Sequence, residues 1–124
     1  MPMYRKNKYR NTKVRTQEGY TFDSRKEYFR YLELVQMQVD GEITDLRCQV
    51  KYELIPSQKL DNPVWEGDHY RRTEQAVTYT ADFVYVKDGK TVVEDTKSKA
   101  TRTQQYVIRR KLMKYIHGIE IVEI

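Results

Sequence analysis

The residues best suited to chemistry lie in one stretch, residues 77–99, VTYTADFVYVKDGKTVVEDTKSK, which carries Asp82, Asp95 and Lys97. Asp88-Gly89 is a strong signal for a two-residue type I′ hairpin turn. In that register Lys87 faces Lys90, Val86 faces Thr91, Val84 faces Val93, and Asp82 faces Asp95. Directly opposed residues share a face, with Cβ atoms about 4.5–5.5 Å apart. Lys97, two residues beyond Asp95, falls on the same face. Two unit charges about 5 Å apart at an effective dielectric of about 20 repel by roughly 3 kcal/mol. That is a serious fraction of the ~5–15 kcal/mol holding a domain together. Either one carboxylate takes up a proton or a cation lies between the two. Oxygen ligands at this spacing suit a hard divalent ion, Mg²⁺ or Mn²⁺. The plain alternative is a pair of acids splayed into solvent at a strand end, with Lys97 as a surface partner. A bulged three-residue turn would instead set Glu94 opposite Asp82; the face shared with Lys97 favours Asp95.

Other elements must hold this hairpin in place. Tyr28, Tyr31, Leu32, Val35 and Val39 recur at helical spacing, with Asp23 or Ser24 as the cap and Gly41 at the stop. Residues 47–56, RCQVKYELIP, alternate like a strand and close on proline. Residues 57–75, punctuated by Pro63 and Gly67, read as a long loop, in which Trp65 and Tyr70 either anchor the loop or stack on unpaired bases. After the hairpin, Ile108, Leu112, Tyr115 and Ile116 form an apolar helical stripe, and residues 119–124, IEIVEI, alternate as a terminal strand. The order is helix, strand, strand, strand, helix, strand. Residues 1–20 have neither period and read as a flexible basic arm ahead of a single domain, 21–124.

The chain's 124 residues and 39% hydrophobic content suffice for one modest core. Cys48 is the only cysteine, which excludes an intrachain disulfide and fits a reducing compartment. No apolar run approaches the ~20 residues of a membrane span, so a cytoplasmic protein is expected. The net charge of +5 is unevenly placed: residues 1–17 are strongly basic, residues 18–95 are net acidic, and residues 96–124 are basic again. Two basic ends around an acidic centre suit a surface that draws in a polyanion.

The string YTADFVYVKDGKTVVEDTKSK resembles the core signature of the PD-(D/E)XK nuclease superfamily: an acid, a hairpin, then acid-x-lysine. Asp82, Asp95 and Lys97 match its three positions, with Asp-Thr-Lys where many members have Glu-x-Lys. FDSRKEYFRYL, QVKYELIPSQK and the closing KLMKYIHGIEIVEI extend the likeness to a family of small phage endonucleases, long known only as a domain of unknown function. The resemblance implies an α/β (α+β) fold with a restriction-endonuclease-like αβββαβ core, its mixed central sheet flanked by helices. It also implies Mg²⁺- or Mn²⁺-dependent hydrolysis of DNA phosphodiesters, leaving a 5′-phosphate and a 3′-hydroxyl. Asp82 and Asp95 would hold the metal, and Lys97 would orient the attacking water. Glu27 matches a helix glutamate that completes the acidic cluster, although Ser24-Arg25-Lys26-Glu27 is also a capping box.

Candidate DNA contacts are Arg5, Lys6, Lys8, Arg10 and Lys13 on the arm, Lys99 and Arg102 after the motif, and Arg109, Arg110, Lys111 and Lys114 on the last helix. The resemblance further implies action on branched or junction DNA in phage recombination or replication, where symmetric cutting of a junction would favour a homodimer. Two other readings share the element order or residues. One is a non-catalytic module for double-stranded nucleic acid, which gains nothing from acids facing phosphate. The other is a metal-independent ribonuclease using Lys97.

Overall fold

The computed structural model describes residues 3–6, 12–17 and 19–124. Along the chain, strands β1 (Met3–Lys6), β2 (Thr12–Arg15) and β3 (Thr21–Phe22) precede helix α1 (Arg25–Val39). They pair antiparallel as one small sheet, in place of the arm expected there. The reason is local: Val14 pairs with Phe22, and both side chains are buried. Arg5 and Lys6 lie in β1 and Lys13 is exposed on β2, whereas Lys8 and Arg10 fall outside the described residues.

Helix α1 starts as its sequence dictates. Ser24 caps it by accepting the Glu27 N–H, Asp40 closes it, and Gly41 follows at φ 79°. Its inward face keeps only part of the expected stripe. Leu34 is buried with Tyr28, Tyr31 and Met37 beside it, while Leu32 and Val39 are exposed.

The central sheet is mixed, of four strands: β4 (Thr44–Ile55), β7 (Val77–Lys87), β8 (Lys90–Asp95) and β9 (Val122–Glu123), hydrogen-bonded in that order. β4, β7 and β8 run antiparallel and β9 joins β8 in parallel. Between β4 and β7 the chain forms a separate two-stranded hairpin, β5 (Gln58–Glu66) and β6 (His69–Glu74), where a loop was expected. Helix α2 (Gln104–Leu112) continues into a π-helical turn, Met113–His117, which ends at Gly118 in the left-handed conformation. The fold is thus α+β, with a helix on each face of the sheet. Under α1 lie Val14, Phe22, Leu34, Ile43, Phe83 and Tyr85; under α2 lie Leu54, Tyr79, Ala81, Val84, Val93, Tyr106 and Met113. Of the expected stripe on the last helix, Leu112 packs against the core with Tyr106 and Met113, whereas Ile108, Tyr115 and Ile116 are exposed. No helix among the described residues is long and apolar enough to cross a membrane.

A candidate active site where two strands part

The β7–β8 turn has the expected form, with Asp88 at φ 51° and Gly89 at φ 75°. Its ladder runs from Lys87↔Lys90 to Phe83↔Glu94, which excludes the bulged register. Glu94 therefore points away from the acid pair. It receives the Arg30 guanidinium through Nε at 2.9 Å and Nη2 at 2.7 Å, and it is bonded by the Tyr85 hydroxyl.

One step beyond Phe83↔Glu94 the strands separate, and the Asp82 side chain takes over from the ladder: its Oδ2 accepts the Thr96 N–H at 2.7 Å. Asp95 is fixed from the other side by β9, where it pairs with Glu123 and its carbonyl accepts the Ile124 N–H at 3.0 Å. The Lys97 N–H returns to the Ile124 carbonyl at 3.1 Å. The backbone around the acid-x-lysine run is thereby held on both edges.

A second feature was invisible in the sequence. In β7, Tyr79 and Ala81 pack under α2, yet Phe83 and Tyr85 pack under α1. In β4, Leu46 and Cys48 pack under α1 and Val50, Tyr52 and Leu54 pack with the α2 core. The two-residue alternation reverses in both strands at the same level, across Asp82 and Gln49. Gln49 absorbs the reversal with a left-handed φ of 56°, a strained value for a residue with a Cβ.

The reversal brings Tyr79 to the acids. Its hydroxyl donates to Asp95 Oδ2 at 2.7 Å, while Lys97 Nζ stands 3.2 Å from Asp95 Oδ1. The lysine is further seated 4.2 Å from the centroid of the Tyr106 ring, a cation–π contact. The Tyr106 hydroxyl donates to Glu123 Oε2 at 2.7 Å, and Glu123 also receives Arg102 and Arg110. Against burial, which pushes it up, the bonds from Tyr106, Arg110 and Arg102 hold Glu123 at about 2. From α1, Lys26 Nζ donates to the Lys97 carbonyl at 2.9 Å.

The carboxyls of Asp82 and Asp95 face each other, placed so that a hydrogen bond joins them when one is protonated. Burial first, then the charge of Glu27, then this bond and the Asp95 charge raise the Asp82 pKa, against the Thr96 N–H. A proton shared by the pair is one of the two solutions to the repulsion expected from the hairpin register. Glu27 is buried beside them and is raised to about 7, by burial first and then by the charges of Asp23 and Asp95. The Asp23 N–H, at 3.1 Å, and the Gln49 amide, at 3.0 Å, work the other way.

The donor set fits a hard cation held by two carboxylates. Mg²⁺ is characteristically bound through one or two carboxylates, with water and substrate phosphate completing its shell. The Thr96 Oγ1, buried at the cleft wall and without a partner among the described residues, adds a polar atom that a bound water would satisfy. A three-carboxylate cage is not formed: among the described residues, no three His, Cys, Asp or Glu side chains converge as an ion-binding group. Glu27, expected to complete the cluster, has one oxygen on Asp23 and the other on Gln49, and stands next to the pair as cap and neighbour.

Two lobes of about 250 and 370 Å³ open on either side of the pair, and both are lined by Asp82, Asp95 and Lys97. The proposed DNA contacts divide. Arg102 and Arg110 are matched by Glu123, and Lys114 by Glu120 at 3.1 Å, whereas Lys99 and Lys111 are exposed. Sequence reasoning missed Tyr79, Gln49, Lys26 and Tyr106 as parts of the site. Cys48 packs under α1; burial, then Glu27 and Asp82, push its thiol up to about 11.

The chain belongs to the family described as "Protein of unknown function (DUF1064)", whose profile matches residues 6–120. No curated protein and no solved structure matches it.

Proposed function

We propose that this chain is a metal-dependent DNA endonuclease with a restriction-endonuclease-like core, acting on branched or junction DNA. The observation that carries the reading is the convergence of Asp82, Asp95 and Lys97 at the junction of two open lobes. Asp82 and Asp95 would hold Mg²⁺ or Mn²⁺. The bound ion would supply Lewis-acid polarisation of the scissile phosphate and lower the pKa of a coordinated water.

The chain's own residues do the rest. Asp95 and the Tyr106 ring fix the Lys97 ammonium, whose free donors meet the attacking water and the negative charge on the non-bridging phosphate oxygens. Tyr79 orients the Asp95 carboxylate, and Thr96 does the same for Asp82. Water adds its oxygen to phosphorus and gives up a proton to solvent, the P–O3′ bond breaks, and the leaving 3′-oxygen takes a proton back from solvent, giving a 5′-phosphate and a 3′-hydroxyl. Two copies would be needed to cut both strands of a junction symmetrically.

The test is cleavage of linear, flapped and four-way-junction DNA in Mg²⁺ or EDTA by wild type, Asp82→Ala and Lys97→Ala, alongside the Mg²⁺-induced shift in melting temperature. Cleavage of branched DNA that needs Mg²⁺ and both side chains is expected, with a melting shift that Asp82→Ala loses. Cleavage that survives EDTA and Asp82→Ala refutes the reading. Tight DNA binding without any cleavage would point to the non-catalytic module.

A further inference from the structure

The larger lobe differs from the acid centre in chemistry. Besides the acids and Lys97, which it shares with the smaller lobe, its walls are hydroxyls, amides, the Tyr79 and Tyr106 side chains and a single arginine: Thr78 and Thr80 on β7, Thr103 and Gln105 at the start of α2, and Arg109 one turn further on. Arg109 is half-buried, and its Nε donates to the Thr78 carbonyl at 2.9 Å, which pins the guanidinium plane against the strand. Its two terminal Nη nitrogens have no partner among the described residues. Other arginines around the site are committed elsewhere: Arg30 to Glu94, and Arg102 and Arg110 to Glu123.

A guanidinium anchored by one nitrogen with the outer pair open presents a planar two-donor fork, the geometry that matches a phosphodiester. Placed in a lobe that begins at two carboxylates, this fork offsets the repulsion a strand of phosphates would meet there. Thr78 and Asp82 are four residues apart on one strand, about 13 Å. An arginine fork docked at Thr78 therefore lies within reach of a phosphate one or two nucleotides from one held at the acids.

From this placement we propose that the larger lobe is a second phosphate seat, in which Arg109, with Gln105 and Thr103 at the rim, holds a backbone phosphodiester on one side of the scissile bond. The seat rests on the nuclease reading and adds to it a direction: the substrate strand runs from the acid pair along β7 towards α2. A contact to phosphate positions the strand and carries no base sequence.

The experiment uses a labelled four-way junction and a set of single methylphosphonate replacements, which remove one backbone charge at a time around the mapped cut. In wild type, one replacement within two nucleotides of the cut, on one side only, should weaken binding roughly ten- to hundredfold. Arg109→Ala should weaken binding of the unmodified junction similarly and become indifferent to that replacement. Its salt slope should fall by about 0.9, the value for one phosphate contact. Lys90→Ala, which removes an equal charge at the far hairpin turn, serves as the control. Equal tolerance of replacements on both sides, or an Arg109→Ala protein that keeps wild-type sensitivity to them, overturns the seat while leaving the nuclease intact. A wild type that binds no junction overturns both. If Arg109→Ala fails to fold, the replacement scan on wild type decides alone.

Discussion

Glu27→Gln separates a buried site acid from a simple helix cap. The carboxyl is 3% exposed, accepts the Asp23 N–H and the Gln49 amide, and has its pKa raised from 4.5 to about 7, chiefly by burial. A folded-state value above the unfolded one means that the folded chain binds this proton more tightly. Its stability contribution is therefore full below about pH 4.5, is lost as pH rises towards 7, and is level beyond that. The gap corresponds to about 3 kcal/mol against the native state at alkaline pH. Glutamine keeps the shape and is never charged. Its carbonyl can accept the Asp23 N–H, and Gln49 can turn its own amide to accept from the new NH₂ group. In EDTA at about pH 8.5, Glu27→Gln should be more stable than wild type by about 1–3 kcal/mol, shrinking to under about 0.5 kcal/mol at pH 4.5. Urea unfolding followed by circular dichroism at the two pH values measures the difference. A variant whose stability differs from wild type by the same amount at both pH values would show that the Glu27 carboxyl is not held protonated in the folded chain, and the argument from burial would be wrong.

Arg30→Ala should destabilise the fold by about 3–5 kcal/mol, because it leaves Glu94, 1% exposed, without its guanidinium; chemical denaturation tests this, and a loss below about 1 kcal/mol would show that Tyr85 alone suffices. Tyr79→Phe keeps the ring in its core but removes the donor to Asp95, so a cost of about 1.5–3 kcal/mol is expected in urea at neutral pH. An unchanged midpoint would mean that Asp95 finds water instead.

The site was legible where a local rule had no competitor. Asp88-Gly89 admits little besides a tight turn, and once the turn is fixed the register carries Asp82 to Asp95. Ser24 as cap and Gly41 as stop are equally local. Elsewhere a second constraint prevailed. Gly67-Asp68 is itself a two-residue hairpin signal, and Glu66↔His69 and Trp65↔Tyr70 flank it; Pro63 disguised it by lying where the register slips, the place a strand tolerates proline. The stripe of Ile108, Leu112, Tyr115 and Ile116, of which only Leu112 packs inward, assumed 3.6 residues per turn through a segment that winds as a π-helix from Met113 onward. The inward side there belongs partly to Tyr106, Arg109 and Arg110, whose polar ends have partners on β7 and β9. The reversal at Gln49 and Asp82 breaks the period of two on which any strand reading rests, so Tyr79, three residues from Asp82, could not be foreseen on the same side as the acids.

Neighbouring acids on the two faces of the sheet behave very differently. Glu94 and Asp95 are consecutive and both buried, and alternation sends them to opposite faces. Glu94 meets a guanidinium and a phenol, and Glu123, paired beside Asp95, meets two guanidinia and a phenol. Each of these carboxylates is matched, as buried charges in a stable core must be. Asp82 and Asp95 receive one ammonium, one phenol and one backbone N–H between them, and burial, with the neighbouring acids, pushes the Asp82 pKa up. The fold has the means to neutralise an acid within a few ångströms on either side and leaves this pair short of positive charge, at the point where two lobes open to solvent. A deficit kept at an accessible position, at a cost in stability that Asp82→Asn would relieve, is what a site awaiting an external cation requires.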